Sequence, residues 1–521
     1  MGCRPSKQSS APEKQEKSIR EVASRPKKKQ QQEGLLLDLR EELVWERRGR
    51  RFEEVYEGLG YLGSGAMGTV QVVRKRRDAN LSVGQNADNA HRYAAKVVVF
   101  EEKGRRPRRI FKERQAELRH EIDVLRRVDH PHIVHLREAF WEDTRLVLVM
   151  ELCEGTALSS LAGTLEEPTV ASVAAQLLRA LAYLHARGIV HRDLKLDNVM
   201  ATREDARVSA KLVDFGLSRR TLIEVWCVDQ QWETKKVAVK AAGTLSTAAP
   251  EVVAGGPYSS SADVWSLGAC VYKLVCCRDP FIIDGVEPID PSIVRRLQAA
   301  QIPWDPATLW RAKSKPCREF VYNCMRAKAP TRWTADDALK FVTTDWLEDD
   351  SLREPEPALR TLYATLKRFA SYSDLKRAAL VVAAHHVDHR RTLDLRRTFE
   401  ALDADDSGVV SANELRAALE HVTAPCEIDI LFGRLDYDQS GSVHYHEFLA
   451  ATIEDDLLDD EVLRDAFDRI DADDTGTITP ANLRAILGRA ATDDLVASMI
   501  ADGDLRRDGV IDFDEFCSLM R

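Results

Sequence analysis

The alternation of apolar and polar positions divides the chain into regions of different character. YAAKVVVF, Tyr93 to Phe100, is a β-branched apolar run that reads as a strand carrying one charge, Lys96. AELRHEIDVLRRV, Ala116 to Val128, reads as a helix. Farther on, Leu359, Leu362, Leu366 and Phe369, then Leu375, Ala379 and Val382, recur at helical intervals with Lys367, Arg368, Lys376 and Arg377 between them. This predicts a basic amphipathic helix. The stretch from Met1 to Gln30 has no apolar periodicity and is rich in Lys, Gln, Ser and Glu, so residues 1–50 are expected to be a disordered basic segment. Nowhere do eighteen apolar residues follow one another, so no membrane-spanning helix is expected.

A chain of 521 residues with 44% hydrophobic residues can bury two or three separate cores. Its ten cysteines include no CxxC pair, which points to free thiols in a reducing, cytoplasmic setting. The net charge of −9 hides a gradient from a basic start to an acidic end. MGCRPS offers Gly2 for N-myristoylation, with Ser6 at the required position and Cys3 available for palmitoylation. One acyl chain binds a membrane reversibly, whereas a second chain or the Lys27 to Lys29 cluster would hold it at the surface. The basic runs Arg74 to Arg77 and Arg105 to Arg109 have no interleaved aromatics to stack bases, so they read as solvated loop charge and no nucleic-acid partner is expected.

Candidate chemistry begins at LGSGAMGTV. Leu62, Gly63, Ser64, Gly65, Gly68 and Val70 contain the GxGxxG spacing that lets a β-turn backbone lie over phosphates. Lys96 in its apolar strand needs an anionic partner. Glu121 is the candidate, with Glu117 one turn earlier as the alternative. HRDLKLDN, His191 to Asn198, followed by Asp214, Phe215 and Gly216, is similar in order and spacing to the catalytic and metal-binding segments of eukaryotic protein kinases. AAPE at Ala248 to Glu251 and DVWSLG at Asp263 to Gly268 extend the resemblance over about Tyr56 to Leu347, with Arg332 as a buried partner for Glu251.

That resemblance implies catalytic Asp193, Lys195, Asn198 and Asp214. It places ATP against Leu62, Gly63, Ser64, Gly65, Gly68, Val70, Lys96, Glu121 and the hinge residue Glu151, with Mg2+ on Asn198 and Asp214. Lys195 together with Thr244 resembles the serine/threonine branch. Three departures stand out: Ala157 replaces the usual acid after the hinge, Thr247 replaces an aromatic, and the span from Leu217 to Ala248 is long. Arg192 has a phosphate, Glu224 or Glu233 as possible partners.

Beyond residue 392 four acidic loops begin at Asp403, Asp436, Asp471 and Asp504, spaced 33, 35 and 33 residues apart. Such repetition is that of helix, loop, helix units in pairs. Asp403, Asp405, Ser407, the Val409 carbonyl and Glu414 supply one calcium ligand set; Asp436, Asp438, Ser440, the Ser442 carbonyl and Glu447 supply another. The third loop ends in Asn482 instead of glutamate, and the fourth puts Arg506 at a ligand position, so both are expected to be weakened or lost. Ile478 and Ile511, like Val410 and Val443, fall where paired loops exchange a short β-bridge.

The order of parts resembles the calcium-dependent protein kinases of plants and protists. It implies an α+β bilobal kinase fold over 56–347, a linker and autoinhibitory junction helix over 348–391, and an all-α EF-hand domain over 392–521. The implied activity is calcium-activated transfer of the ATP γ-phosphate to protein Ser/Thr, with Mg2+ and Ca2+ as metals and the junction helix withdrawn into a calcium-loaded lobe. Competing readings are a kinase with constitutive activity and structural EF-hands, or a calcium-binding scaffold with a silent kinase fold.

Overall fold

The computed structural model describes residues 45–47, 51–65, 68–76, 91–99, 118–204, 207–220, 244, 246–254, 258–280, 310, 312–347, 359–387, 389–488 and 491–521. Gly2, Cys3, the Lys27 to Lys29 cluster, Arg77, Arg105 to Arg109, Glu117, Glu224 and Glu233 lie outside them. No helix of the described residues is long and apolar enough to cross a membrane.

A six-stranded sheet forms the first layer. Its strands are β1 (Trp45–Arg47), β2 (Tyr56–Gly65), β3 (Gly68–Lys75), β4 (Arg92–Val99), β5 (Leu136–Trp141) and β6 (Arg145–Glu151). They lie in the order β1-β5-β6-β4-β3-β2, with β1 parallel to β5. Residues 45–47 therefore belong to the sheet, not to a disordered segment reaching residue 50; strand pairing is a main-chain contact and needs no apolar periodicity. The short helix α1 (Phe52–Val55) closes one face, where Phe52, Tyr56, Tyr93 and Phe140 form a small aromatic core. Helix α2, described over 118–126, packs through Leu118, Ile122 and Leu125 into the larger core.

The second lobe is mainly helical. Strands β7 (Thr156–Ala157), β8 (Ile189–Val190), β9 (Val199–Glu204), β10 (Arg207–Leu212) and β11 (Arg219–Arg220) flank the long helix α3 (Glu167–Ala186). That helix buries residues all round, from Val170 to Leu184, as a central core helix does. Helices α4 (Pro250–Val253), α5 (Ser260–Cys276), α6 (Lys315–Cys324) and α7 (Ala335–Phe341) pack around it.

Among the described residues of the joining segment two helices follow, not the single one expected: α8 (Leu359–Ala370) and α9 (Asp374–Ala384). The break falls where Ser373 caps α9 by accepting from the Lys376 amide at 3.3 Å. Among the described residues eight further α-helices build the EF-hand module: α10 (Leu393–Leu402), α11 (Ala412–Leu419), α12 (Pro425–Leu435), α13 (Tyr445–Thr452), α14 (Asp460–Ile470), α15 (Pro480–Leu487), α16 (Asp493–Gly503) and α17 (Phe513–Met520). Strands β12 (Val410–Ser411) and β13 (Ser442–Val443) pair the first two loops, and an isolated Ile478–Ile511 bridge pairs the others. Leu362, Leu366, Phe369 and Leu375 of α8 and α9 share one hydrophobic core with Phe399, Phe448, Phe467 and Phe516 of the module. The joining segment is thus part of the EF-hand core.

The module docks on the kinase. The first loop lies against α3: a Cβ at Gly408, whose φ is +78°, would come within 2.6 Å of Tyr183 and 2.8 Å of His130. Glu400 sits 2.9 Å from His132, and Asp406 accepts from Arg179. At the other end Lys75 meets Asp465 and Asp468 at 2.6 and 3.0 Å. The expectation that the run from Arg74 is solvated loop charge is therefore corrected: Arg74 and Lys75 end β3, Arg74 pairs with Glu57, and Lys75 is half-buried against acids brought from nearly 400 residues away.

Candidate active site and calcium loops

The glycine-rich hairpin is the β2–β3 turn, with Gly63 opposite Val70 and Gly65 opposite Gly68. Gly68 has φ +150° and lies so close to β4 that a Cβ would meet the Val97 carbonyl at 2.3 Å, so only glycine fits. Leu62 is exposed. Across the sheet Lys96 donates to Glu121 at 2.6 Å and to Asp214 at 3.0 Å. Burial would lower the Lys96 pKa, but these two carboxylates outweigh it and hold it above the ordinary lysine value. Conversely, burial would raise Asp214, while Lys96 and the Gly216 amide keep it below the ordinary carboxylate value. Both groups are thereby fixed in their charged forms.

The segment 191–198 brings the other expected residues together. Lys195 Nζ lies 2.9 Å from Asp193 Oδ2, and Asn198 Nδ2 donates to the Asp193 carbonyl and carboxylate at 2.8 and 3.1 Å. The Val213 amide donates to the Asn198 carbonyl at 3.0 Å, tying the Asp214 segment to this loop. Thr244 closes the far side, its amide donating to Asp193 Oδ1 at 3.2 Å. Arg192 adopts φ +72° and stacks 5.5 Å over the Tyr258 ring. Arg332 binds Glu251 in a two-pronged pair at 2.8 and 3.1 Å, with its own side chain fully buried.

One positioning residue was noted in the sequence only as part of DVWSLG. Asp263, completely buried, accepts from the His191 and Arg192 amides and His185 Nε2, each at 2.9 Å, and from Tyr258 at 3.0 Å. It pins the strained loop from behind. Glu151 behaves differently from expectation: its carboxylate is bound by Lys211 at 2.8 and 2.9 Å and by the His135 amide at 2.7 Å. That side chain is committed to the protein and is unavailable to a nucleotide while these bonds stand.

In the first acidic loop Asp403 accepts from the Ser407 and Gly408 amides at 2.9 and 2.8 Å, and Glu414 from the Asp405 and Ser411 amides at 3.1 and 2.8 Å. Ser407 Oγ lies 3.1 Å from the Val409 carbonyl. The second loop repeats the pattern with Asp436, Asp438, Ser440, Ser442 and Glu447. Each brings three carboxylates within 4.8 Å. Burial, reinforced by Asp406 and Glu414, pushes Asp403 up to about 8; burial, reinforced by Asp438, pushes Asp436 up to about 6. Crowded carboxylates of this kind are the hard oxygen donors that Ca2+ takes.

The other loops keep the fold without the ligand set. Asn482 turns its Nδ2 toward Asp473 and donates at 3.1 Å, a donor where a calcium ligand must accept. Arg506 pairs with Asp512.

The family described as protein kinase domain matches residues 56–346, and that described as EF-hand domain pair matches 392–453 and 460–521. The chain is 28% identical over 414 residues to calcium-dependent protein kinase 5 of Plasmodium falciparum, covering 77% of this chain and 70% of that one. It is 28% identical over 441 residues to calcium-dependent protein kinase 17 of Arabidopsis thaliana, covering 83% and 79%. For calcium-dependent protein kinase 20 of Oryza sativa subsp. japonica the figures are 29% over 416 residues, 78% and 72%. A kinase fold with Lys96, Glu121, Asp193, Asn198 and Asp214 assembled, followed by two matched pairs of calcium-loop helices, leaves one conclusion: the chain belongs to the protein kinase family and carries two EF-hand domain pairs behind its kinase domain.

Proposed function

We propose that this chain is a calcium-activated protein kinase that transfers the ATP γ-phosphate to serine or threonine of protein substrates. Asp193 orients the substrate hydroxyl and accepts its proton, and Lys195, 2.9 Å from it, neutralises charge on the transferring group. Lys96, kept charged by Glu121, holds the ATP phosphates. Asn198 and Asp214 offer hard oxygen donors of the kind Mg2+ prefers. When bound, Mg2+ neutralises the phosphate charge. The serine/threonine assignment draws support from Lys195 and from the Thr244 amide on Asp193.

The observation that carries calcium control is the seat of the first loop. Asp406, inside that loop, is paired with Arg179 of α3, and α3 runs directly into the catalytic loop through β8. Calcium capture by Asp403, Asp405, Ser407, Val409 and Glu414, and by the matching set in the second loop, orders the module that holds α8 and α9 in its core. On this reading the docked arrangement is the active one, and a junction released from the calcium-free module inhibits the kinase. Attachment to a membrane surface through acylated Gly2 and Cys3 belongs to the same reading.

The test is phosphate incorporation into a serine peptide with basic flanks, in calcium or in chelator. Calcium-dependent incorporation that Asp193→Asn abolishes and Glu414→Gln weakens is expected, with Asp504→Ala leaving it intact. Equal incorporation under both conditions overturns calcium control; none under either overturns catalysis.

A further inference from the structure

Histidines gather where the EF-hand module meets the kinase, and most of them have a polar partner. His91 pairs with Glu461, His132 lies against Glu400 and the Ala210 carbonyl, and His386 is held by Arg137 and Asp465. His135 and His385 differ: among the described residues neither ring makes a hydrogen bond, and Nδ1 of His385 is buried without a partner. Their rings stand 4.9 Å apart, and His446 lies 4.6 Å from the first and 3.9 Å from the second, centroid to centroid. One nitrogen from each of the three comes within 4.8 Å of the others.

We propose that His135, His385 and His446 form a transition-metal site of the zinc class, which staples the EF-hand module and the joining helices to the kinase domain. Three imidazoles are a ligand set that suits Zn2+ and its neighbours and not Ca2+ or Mg2+, which take oxygen. Zinc to nitrogen bonds of about 2.0–2.1 Å need each ring to move inward by less than about 1 Å, within reach of side-chain rotation. An outer carboxylate is already in place: Asp129 Oδ1 lies 2.5 Å from Nδ1 of His446, and Oδ2 accepts the His446 backbone amide at 3.1 Å. A carboxylate on Nδ1 fixes that proton and turns the Nε2 lone pair outward as a ligand.

A cavity of about 50 Å³ bordered by Asp129 and the three histidines gives room for a water as fourth ligand. Its wall also includes Asp438 and Glu447 of the second calcium loop, so the site adjoins the calcium ligands without sharing them. The three histidines come from just before β5, the C-cap of α9 and the first turn of α13. Only docking brings them together, so an ion bound there favours the docked arrangement by mass action.

The test uses the full chain with its loops saturated by calcium, and Co2+ as a spectroscopic substitute for Zn2+. One Co2+ per chain is expected, with the intense visible absorption of four-coordinate nitrogen ligation, displaced by Zn2+, and absent in His385→Ala and in His135→Ala. Calcium stoichiometry and helical content are measured on each variant to show that it is folded, and Zn2+ is expected to raise the Tm of the parent but not of His385→Ala. Weak six-coordinate absorption alone, or a Co2+ signal unchanged in the folded His385→Ala variant, overturns the site.

Discussion

Lys75, the last residue of β3, donates to Asp465 of α14 at 2.6 Å across the junction between the kinase sheet and the second EF-hand pair. Tyr93 donates to the other oxygen of the same carboxylate at 2.9 Å, and Asp468 stands 3.0 Å from the lysine. Removing one member of this set, in which Asp465 and Tyr93 are buried and Lys75 is half-buried, leaves the opposite charge partly desolvated with one partner fewer. Asp465→Asn is expected to lower stability by about 3 kcal/mol, the low end for a broken buried pair because Asp468 remains. Lys75→Met in the same background is expected to recover much of the loss. Urea unfolding of the single and double variants measures both.

The same carboxylate sets a pH dependence. Burial alone would raise the Asp465 pKa, but Lys75 and His386 reverse this and hold it well below the ordinary value. A depressed carboxyl stabilises the folded state above its unfolded pKa, about 3.9, and that contribution fades as pH falls through the folded value. The groups facing it, Lys75, Asp468, His386, Arg137, Glu138 and Glu461, all come from the docked surfaces. The stability difference between parent and Asp465→Asn is therefore expected to be constant from pH 6 to 8 and to shrink below about pH 4. Unfolding at a series of pH values checks it; a difference that grows on acidification contradicts the assignment.

How much of this was legible follows from the range of each contact. Asp193, Lys195 and Asn198 are neighbours in one loop, and each calcium loop spans twelve residues, so spacing alone exposes their chemistry. The Lys96–Glu121 pair bridges 25 residues and was still readable, because a lysine in an apolar strand demands an acid. Lys75–Asp465 and Arg179–Asp406 join positions more than 200 residues apart, as His135 is from both His385 and His446, and no periodicity carries such pairings. The break between α8 and α9 is a different case: Ser373 ahead of Asp374 is a readable helix start, obscured by apolar spacing that continues through it.

Phe369 and Leu366 tie the joining segment to the module, each at most 1% exposed. Truncating Phe369 to Ala removes an aromatic side chain from a closed core, at a cost of about 3–5 kcal/mol. If α8 inhibits the kinase when it leaves the module, the variant is expected to lose a large part of its calcium-stimulated activity while binding ATP as before. Calcium titration of peptide phosphorylation, with nucleotide affinity measured in parallel, separates this outcome from general damage.

Asn482 is the point at which one substitution should restore a calcium site. Asp471, Asp473 and Thr475 are in place around it, with Asp471 accepting from the Thr475 and Gly476 amides at 3.1 and 2.7 Å, as Asp403 does from Ser407 and Gly408 in the first loop. What opposes an ion is the Asn482 amide nitrogen aimed at Asp473. Glutamate replaces that donor with two charged acceptors at the position where the first two loops carry Glu414 and Glu447. Thr479 already supplies the cap that holds such a side chain, its amide donating to Asn482 Oδ1 at 2.8 Å as Ser411 does to Glu414. Asn482→Glu is expected to add one calcium per chain in isothermal titration, whereas the same change paired with Asp471→Ala is expected to add none. An unchanged stoichiometry in the single variant would show that the loop lacks more than its twelfth residue.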